Sequence, residues 1–473
     1  MNSNIIQKKS NFSNGISFIA KVYRINKGPN AQNSYFATLK KKVYEELKIK
    51  EKDAILLEIQ NKSFPTVVRK LKTSKNRFML GFTVPYKISN KLPLKTDINF
   101  KFLKKTIENK NIPELPDNIN LLKIIPTRTI RNSPIYIFDL NDKILIWIYS
   151  GGNKPYILPK YIPINYDMYN LFEVGGFFFC EGFKARKIKK HRDRFSLSNS
   201  DKEQIDWFLN AVEKLLNIPK SKWKTQILFP TLKENKNLID FWSNLGLRED
   251  SIKVHRNETA KSQHGVCILN IFNSTLAETT YHLMQYITKQ SLTSKKNALN
   301  FFRGLSRGDM GVSKTRTFID FSTESKENAF FFKKLCKILE IPIQTIYNDE
   351  RGIKGYWKAH IAISHDTLLK LIKLNAITHS QRKHSLYKMT MNHKKLILYL
   401  YLNSINCGSN TSKSSAKFLN LSQITTRLYL QKLSQQGYFT RLYKDKHYIY
   451  SLTDKGTQTL KFYNEIEKQV TNQ

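Results

Sequence analysis

Two short apolar stretches, far apart in the chain, each run through small residues spaced four apart and arrive at an acid. The first is Leu171-Phe172-Glu173-Val174-Gly175-Gly176-Phe177-Phe178-Phe179-Cys180-Glu181-Gly182. The second is Leu299-Asn300-Phe301-Phe302-Arg303-Gly304-Leu305-Ser306-Arg307-Gly308-Asp309-Met310-Gly311. On a helix, Gly176 and Cys180 share one face, as do Gly304 and Gly308, so another backbone can approach closely there. Two such helices packed together, with Gly175, Gly176, Gly304 and Gly308 at the contact, bring Glu181 and Asp309 side by side at their C-terminal ends. An acid is unfavourable at the negative end of a helix dipole, so two acids in that position point to a purpose. Paired carboxylates suit a divalent cation that assists phosphodiester hydrolysis.

The segments C-terminal to the two stretches share an order. After the first come an alternating segment at 183–197 with a basic turn near Lys189-Lys190-His191, an amphipathic helix at 202–216, and strand-like sequence at 223–229 and 266–271. After the second, 312–321 predicts a strand, 326–339 a helix, 341–347 and 356–364 strands, and 366–374 a helix. Both loosely run helix-strand-strand-helix-strand-strand-helix by hydrophobic period. The expected fold class is therefore α+β, with two pseudo-symmetric αββαββα repeats at 165–290 and 291–378.

With these residues the chain resembles the LAGLIDADG homing endonucleases in their single-chain, two-repeat form. Val174 to Gly182 aligns with the nine motif positions, and Phe302 to Met310 aligns with them again. The resemblance covers roughly residues 165–375. It implies that the motif helices form the interface between pseudo-symmetric halves, and that the strands form a saddle over the DNA major groove. It also implies that Glu181 and Asp309, at the eighth motif position, bind Mg2+ or Mn2+ and are catalytic. Lys184, Arg186, Lys314 and Arg316, in the segments after the motif helices, become candidate DNA contacts. Lys358 in the second repeat, and Lys253 or Lys261 in the first, are candidates for a cation that helps catalysis, with plain phosphate contact as the competing role. The sixth motif position, often Asp, is Phe179 in one repeat and Arg307 in the other. The final Gly is Gly182 in the first and Met310 in the second, where Gly311 is expected to serve one residue late.

Composition agrees with a polyanionic partner: 79 Lys and Arg stand against 37 Asp and Glu, a formal charge of +42. Basic groups at phosphates release counterions, and this excess is spread along the whole chain. No apolar run approaches the length of a membrane span, and the polar N-terminus does not read as a signal peptide, so a cytoplasmic and, in a prokaryote, nucleoid-associated protein is expected. Cys180, Cys267, Cys336 and Cys407 form no Cys-x-x-Cys pair, and most read as small core residues. His255, His264 and His360 fall near the candidate site, with an ordinary structural role favoured for each.

Residues 1–112 read as β-rich. Strand, short helix, acidic turn and strand recur loosely, an order that resembles tandem swapped-hairpin (AbrB-type) DNA-binding units and would make Arg24, Lys27 and Lys40 phosphate contacts. A small β-barrel without DNA contact fits equally well. Residues 113–164 are a connecting region punctuated by Pro113 and Pro116, with a hairpin at 135–138 and 144–149.

Residues 390–473 predict helices at 393–403, 412–419 and 422–435, strands at 438–443 and 448–452, and a long final helix. This resembles the winged helix-turn-helix family. It implies that the third helix, with Thr426 and Arg427, enters the major groove and that Lys444 and Lys446 on the wing reach the DNA backbone. The helix from Gly456 to Val470 is a candidate for dimerising the chain.

Three functions compete. One is a metal-dependent, site-specific double-stranded DNA endonuclease whose two repeats act as a pseudo-dimer within one chain. The second is a non-cleaving DNA-binding transcriptional regulator on the same fold. The third is an RNA-binding or maturase role for the same saddle, which the winged-helix pattern disfavours.

Overall fold

The computed structural model describes residues 16–25, 34–72, 78–85, 97–105, 115, 117–129, 132–149, 154–182, 193–231, 235–260, 262–312, 318–350, 355–390 and 393–471. The fold is α+β. Two compact units divide the chain: residues 1–171 with 183–286, and residues 172–182 with 287–473.

The first unit opens with strands β1 (Ile16–Ile25) and β2 (Ser34–Thr38), helix α1 (Lys41–Glu46), and strands β3 (Ala54–Ile59), β4 (Lys62–Lys72), β5 (Phe78–Val84) and β6 (Asp97–Lys105). The six strands close into a barrel in the order β1-β2-β5-β4-β3-β6. Its halves interleave: β5 pairs with β2 and β4, and β6 with β1 and β3. Phe18, Phe82 and Phe100 pack together in the interior, at centroid distances of 5.2–6.3 Å. Strand β4 escapes the sequence reading because Pro65 interrupts it. The strand survives because its first half pairs with β3 and only its second half, from Val68, pairs with β5.

Connecting strands come next: β7 (Asn118–Asn120), β8 (Ile135–Leu140), β9 (Lys143–Ile148), β10 (Tyr156–Pro159), β11 (Tyr161–Pro163), β12 (Asn165–Tyr166) and β13 (Tyr169–Asn170). The expected hairpin is β8-β9, turning at Asn141 with φ 75°. Phe138 and Leu145 of this hairpin join Ala54, Leu56 and Val67 on the outside of the barrel in one buried cluster.

Helix α2 (Leu171–Glu181) is the first motif helix and, apart from its first residue, belongs to the second unit. The first repeat continues in the first unit with β14 (Phe195–Asn199), α3 (Lys202–Leu216), β15 (Lys224–Phe229), α4 (Asn235–Ser243), β16 (Ile252–Arg256) and β17 (Val266–Ile271), and α5 (Ser274–Gln290) closes it. Asp201 caps α3, and its apolar face packs Phe208 against Phe195 and Trp223. The sheet order is β14-β17-β15-β16, with β15 and β16 parallel. Helix α4 and strand β16 are absent from the expected repeat. Parallel pairing needs a crossover, which α4 supplies.

The second unit carries α6 (Lys295–Arg307), β18 (Met310–Gly311), β19 (Phe318–Thr323), α7 (Lys326–Ile338), β20 (Ile343–Asp349), β21 (Tyr356–Ala362) and α8 (His365–Lys373), the expected helix-strand-strand-helix-strand-strand-helix order. Its sheet runs β18-β19-β21-β20, entirely antiparallel. The sets β14-β17-β15 and β19-β21-β20 have the same order and sense, so the two repeats share a three-stranded core, and β16 is an added edge. Phe321 stacks on Phe332 of α7 at 4.5 Å, fixing the helix-covered face of this sheet.

Helix α9 (Ser380–Thr390), for which the sequence gives no clear period, leads to α10 (His393–Asn406), α11 (Ser412–Leu419), α12 (Gln423–Gln435), β22 (Phe439–Lys444), β23 (His447–Leu452) and α13 (Asp454–Thr471). Ser422 caps α12, and Gly437 comes after it with φ 79°, a conformation open to glycine. Strands β22 and β23 meet at the two-residue turn Asp445-Lys446, both with positive φ. Tyr463, Leu460 and Ile466 of α13 are buried, and α13 packs on α10 and α9. These three apolar residues of the helix expected to dimerise the chain are therefore used within it. No helix among the described residues is long and apolar enough to cross a membrane.

Candidate metal and nucleic-acid interface

The two motif helices meet backbone to backbone within the second unit. A Cβ on Gly176 would overlap the Phe301 carbonyl and lie 3.0 Å from the Gly304 Cα. A Cβ on Gly304 would lie 2.6 Å from the Phe177 nitrogen and 2.8 Å from the Gly176 Cα. One turn on, a Cβ on Gly308 would be 2.5 Å from the Cys180 Cβ and 3.5 Å from the Glu181 Cγ. Gly175 differs from the other three: its nearest neighbour is the Ile287 Cγ2 of α5. Small residues four apart therefore do what their spacing predicts, and Glu181 comes to lie beside the residue before Asp309.

The acids do not occupy equivalent positions. Glu181 is the last residue of α2, whereas α6 ends at Arg307, with Gly308 as its cap and Asp309 beyond it. Both acids are half-buried. Gly311 does not relieve the turn, since it lies in β18. A Cβ there would overlap the Asp320 carboxylate, and Asp320 pairs across the strands with Gly311 and His360. Asp320 is 7% exposed and brings a further carboxylate to this end of the sheet, opposite a residue that stands shortly after Asp309 in the chain. Sequence reading places Asp320 in a strand but cannot show its face. Among the described residues, no group of three or more His, Cys, Asp or Glu is arranged to hold a metal ion. Burial raises the thiol pKa of Cys267 and Cys336, which keeps both as neutral core residues. Cys407, by contrast, is exposed and not a core residue.

The sixth motif position is structural in both helices. Phe179 packs against Phe301 and Phe331 at 5.8 and 5.3 Å. Arg307 donates from Nε to Glu173 Oε1 at 2.6 Å, and the Thr378 hydroxyl donates to the same oxygen at 3.0 Å. The Arg307 and Glu173 side chains are both about nine-tenths buried, at 11% and 8% exposure. Arg303 donates to the carbonyls of Leu374 and Asn375 at the end of α8, and Arg382 of α9 donates to the Ser306 carbonyl. The second motif helix is thus tied to the segment that leads into the C-terminal helices.

The open faces of the two sheets differ in charge. In the first repeat, the face opposite buried Leu197, Ile227 and Leu269 carries Ser198, Gln226, Lys224, Lys253 and His255, and β14 to β17 contain no Asp or Glu. In the second, the corresponding face carries Asp320, Asp349, Lys358 and His360. Lys358 is bound to Asp349 at 2.6 Å, so this candidate cation is already committed. Lys253 lies on the added edge strand β16, which has no counterpart among the described residues of the second repeat, so it is not the counterpart of Lys358. His360 is held between Phe318, stacked at 4.0 Å, and Tyr347, and His264 stacks on Phe241 at 3.9 Å, so both have packing roles.

Lys184, Arg186, Lys261, Lys314 and Arg316 lie outside the described residues, as does Lys27. In α12, Thr426 is fully buried with Leu430 and Leu433 on the core face, which removes it as a DNA contact. Arg427 is exposed on the other side, and Lys444 and Lys446 are exposed at the hairpin tip.

No family model matches the chain, and no curated protein matches it. Among solved structures, the chain is similar to mesophilic variants of the homing endonuclease I-DmoI, at 12% identity over 44% of this chain and 95% of that one, with a TM-score of 0.26. It is similar to I-DmoI in complex with DNA and Mn, at 12% identity over 44% and 96%, with a TM-score of 0.27. It is also similar to full-length DUF199/WhiA from Thermatoga maritima, at 13% identity over 58% and 94%, with a TM-score of 0.30.

Proposed function

We propose that this chain is a site-specific double-stranded DNA endonuclease of the LAGLIDADG homing type, using Mg2+ or Mn2+ at Glu181 and Asp309. The observation that carries the reading is the close packing at Gly176, Gly304 and Gly308, which brings two acidic segments to one end of a helix pair in a chain of charge +42. Two carboxylates suit a hard divalent cation that keeps several of its ligands as water and phosphate oxygens. Such a cation supplies a water of lowered pKa and charge for the leaving oxygen. Glu181 and Asp309 would hold it through the half-buried ends of their side chains, and the helix packing would keep the pair in register. Residues 390–473 act as a winged helix-turn-helix in this reading, with Arg427, Lys444 and Lys446 at phosphates.

A second reading, a DNA-binding regulator that does not cut, is favoured by one observation. Lys358 is bound to Asp349 and so is not free to stabilise a transition state. One experiment separates the two. The chain is incubated with a random duplex library and Mg2+ or Mn2+, and the bound and cut fractions are sequenced. The endonuclease reading expects defined sites that are both bound and cut. Glu181→Gln and Asp309→Asn should each lower cleavage by roughly 100-fold or more, with binding retained. Tight binding of a defined site that is never nicked with either metal replaces the enzyme with the regulator. In either reading, affinity should fall steeply with salt: roughly ten phosphate contacts give a log–log slope of about −9.

A further inference from the structure

Helix α12 presents to solvent what a soluble helix normally hides. Ile424 is 68% exposed and Leu428 57% exposed, one turn apart on the same face. Phe418, near the end of α11, and Leu421, in the turn before α12, are also exposed. These are not surplus core residues, because the core face of α12 is separately filled by Thr426, Leu430 and Leu433. An apolar stripe of this kind marks a partner surface.

The charge around it selects the partner. Residues 367–444 contain no Asp or Glu. Arg427 and Lys432 flank the stripe on α12, and Arg441 on the adjoining hairpin lies over the Tyr448 ring at 4.4 Å. A partner must therefore present dense negative charge and apolar groups together. The major groove of duplex DNA does so: phosphates line its edges, and thymine alone among the bases offers a methyl group on its floor. We propose that α12 reads thymine 5-methyl groups through Ile424 and Leu428, with Arg427 at the backbone, so that the C-terminal domain prefers thymine-containing steps. The proposal rests on the reading that the chain binds duplex DNA and specifies what one helix recognises there.

The test uses the full chain, without divalent metal, and duplexes recovered from a random pool by binding. Each recovered duplex is resynthesised with deoxyuridine in place of every thymine, which removes only the methyl groups. Wild-type protein should bind the deoxyuridine duplexes roughly ten-fold more weakly, the effect of about two lost methyl contacts. The variant Ile424→Ser/Leu428→Ser, changed only at exposed positions, should bind the two duplexes equally. Equal binding of both duplexes by the wild type would overturn the proposal. So would a double variant that keeps the full preference, and the apolar stripe would then serve a protein partner. If no duplex is retained from the pool, the DNA-binding reading itself fails, and the proposal falls with it.

Discussion

The two repeats share a three-stranded core and a motif helix, and they diverge wherever that core meets something else. In the first, the open sheet face carries Lys224, Lys253 and His255 and no acid, beside the partly exposed Leu228, Val266 and Ile268, and an extra strand, β16, widens it. In the second, two aspartates sit on the equivalent face, and one of them holds its lysine. At the sixth motif position, one helix buries a phenyl ring among phenyl rings and the other buries a guanidinium on a carboxylate. The strand order and sense of the three-stranded core are the same in both repeats, whereas surface charge and local anchoring differ from one to the other. The motif helices tolerate little change at Gly176 and Gly304 because each excludes a Cβ from the other.

The largest effect expected from this asymmetry is at Arg307. Its removal leaves Glu173 charged and buried, so Arg307→Leu should cost about 3–5 kcal/mol in a urea or thermal melt. Phe179→Leu, at the matching position, should cost only about 1 kcal/mol, because one apolar group replaces another. Equal costs at the two positions would show that the buried ion pair matters no more than the ring cluster. Next in size is the helix contact. Gly304→Ala should destabilise by about 1–3 kcal/mol, since the added methyl meets backbone that cannot move aside. Gly175→Ala should cost less, because the Ile287 side chain can shift, and the difference in melting temperature between these two variants measures it. Smaller changes are expected at the sheet faces, if these face DNA. Lys224→Ala and Lys253→Ala should each reduce the salt slope of DNA binding by about 1. Asp349→Asn should raise affinity, roughly two-fold, by releasing Lys358 and removing a negative charge. A slope unchanged by both lysine variants would place the DNA elsewhere than on the basic sheet.

Much of this organisation is legible in the residues. Small residues four apart announce the helix contact, and hydrophobic period finds the helices and the longer strands of the second repeat but not the two-residue β18. Local pattern fails at particular points for particular reasons. Pro65 hides β4, because a proline in a strand is tolerated only where one edge is unpaired, and pairing is not a local property. Helix α4 and β16 are missed because only one of the two copies shows them among the described residues, and a repeat pattern carries no expectation of an element that its other copy does not suggest. The resemblance to a winged helix-turn-helix puts Thr426 at DNA, whereas Leu430 and Leu433, one and two turns on, place it on the core face of α12.

The sequence alone determines where helices can approach closely and how positive the chain is, because these depend on residue type and short-range period. The tertiary structure decides which charges are already spoken for. Lys358 and Asp349 lie on neighbouring strands, Arg307 and Glu173 on different helices, and Gly311 meets Asp320 only through β-pairing. None of these pairings has a period to read. Each exists because the chain's return path brings two distant positions within hydrogen-bond reach, and at that distance an ion pair or a steric limit outweighs the preferences of either residue by itself.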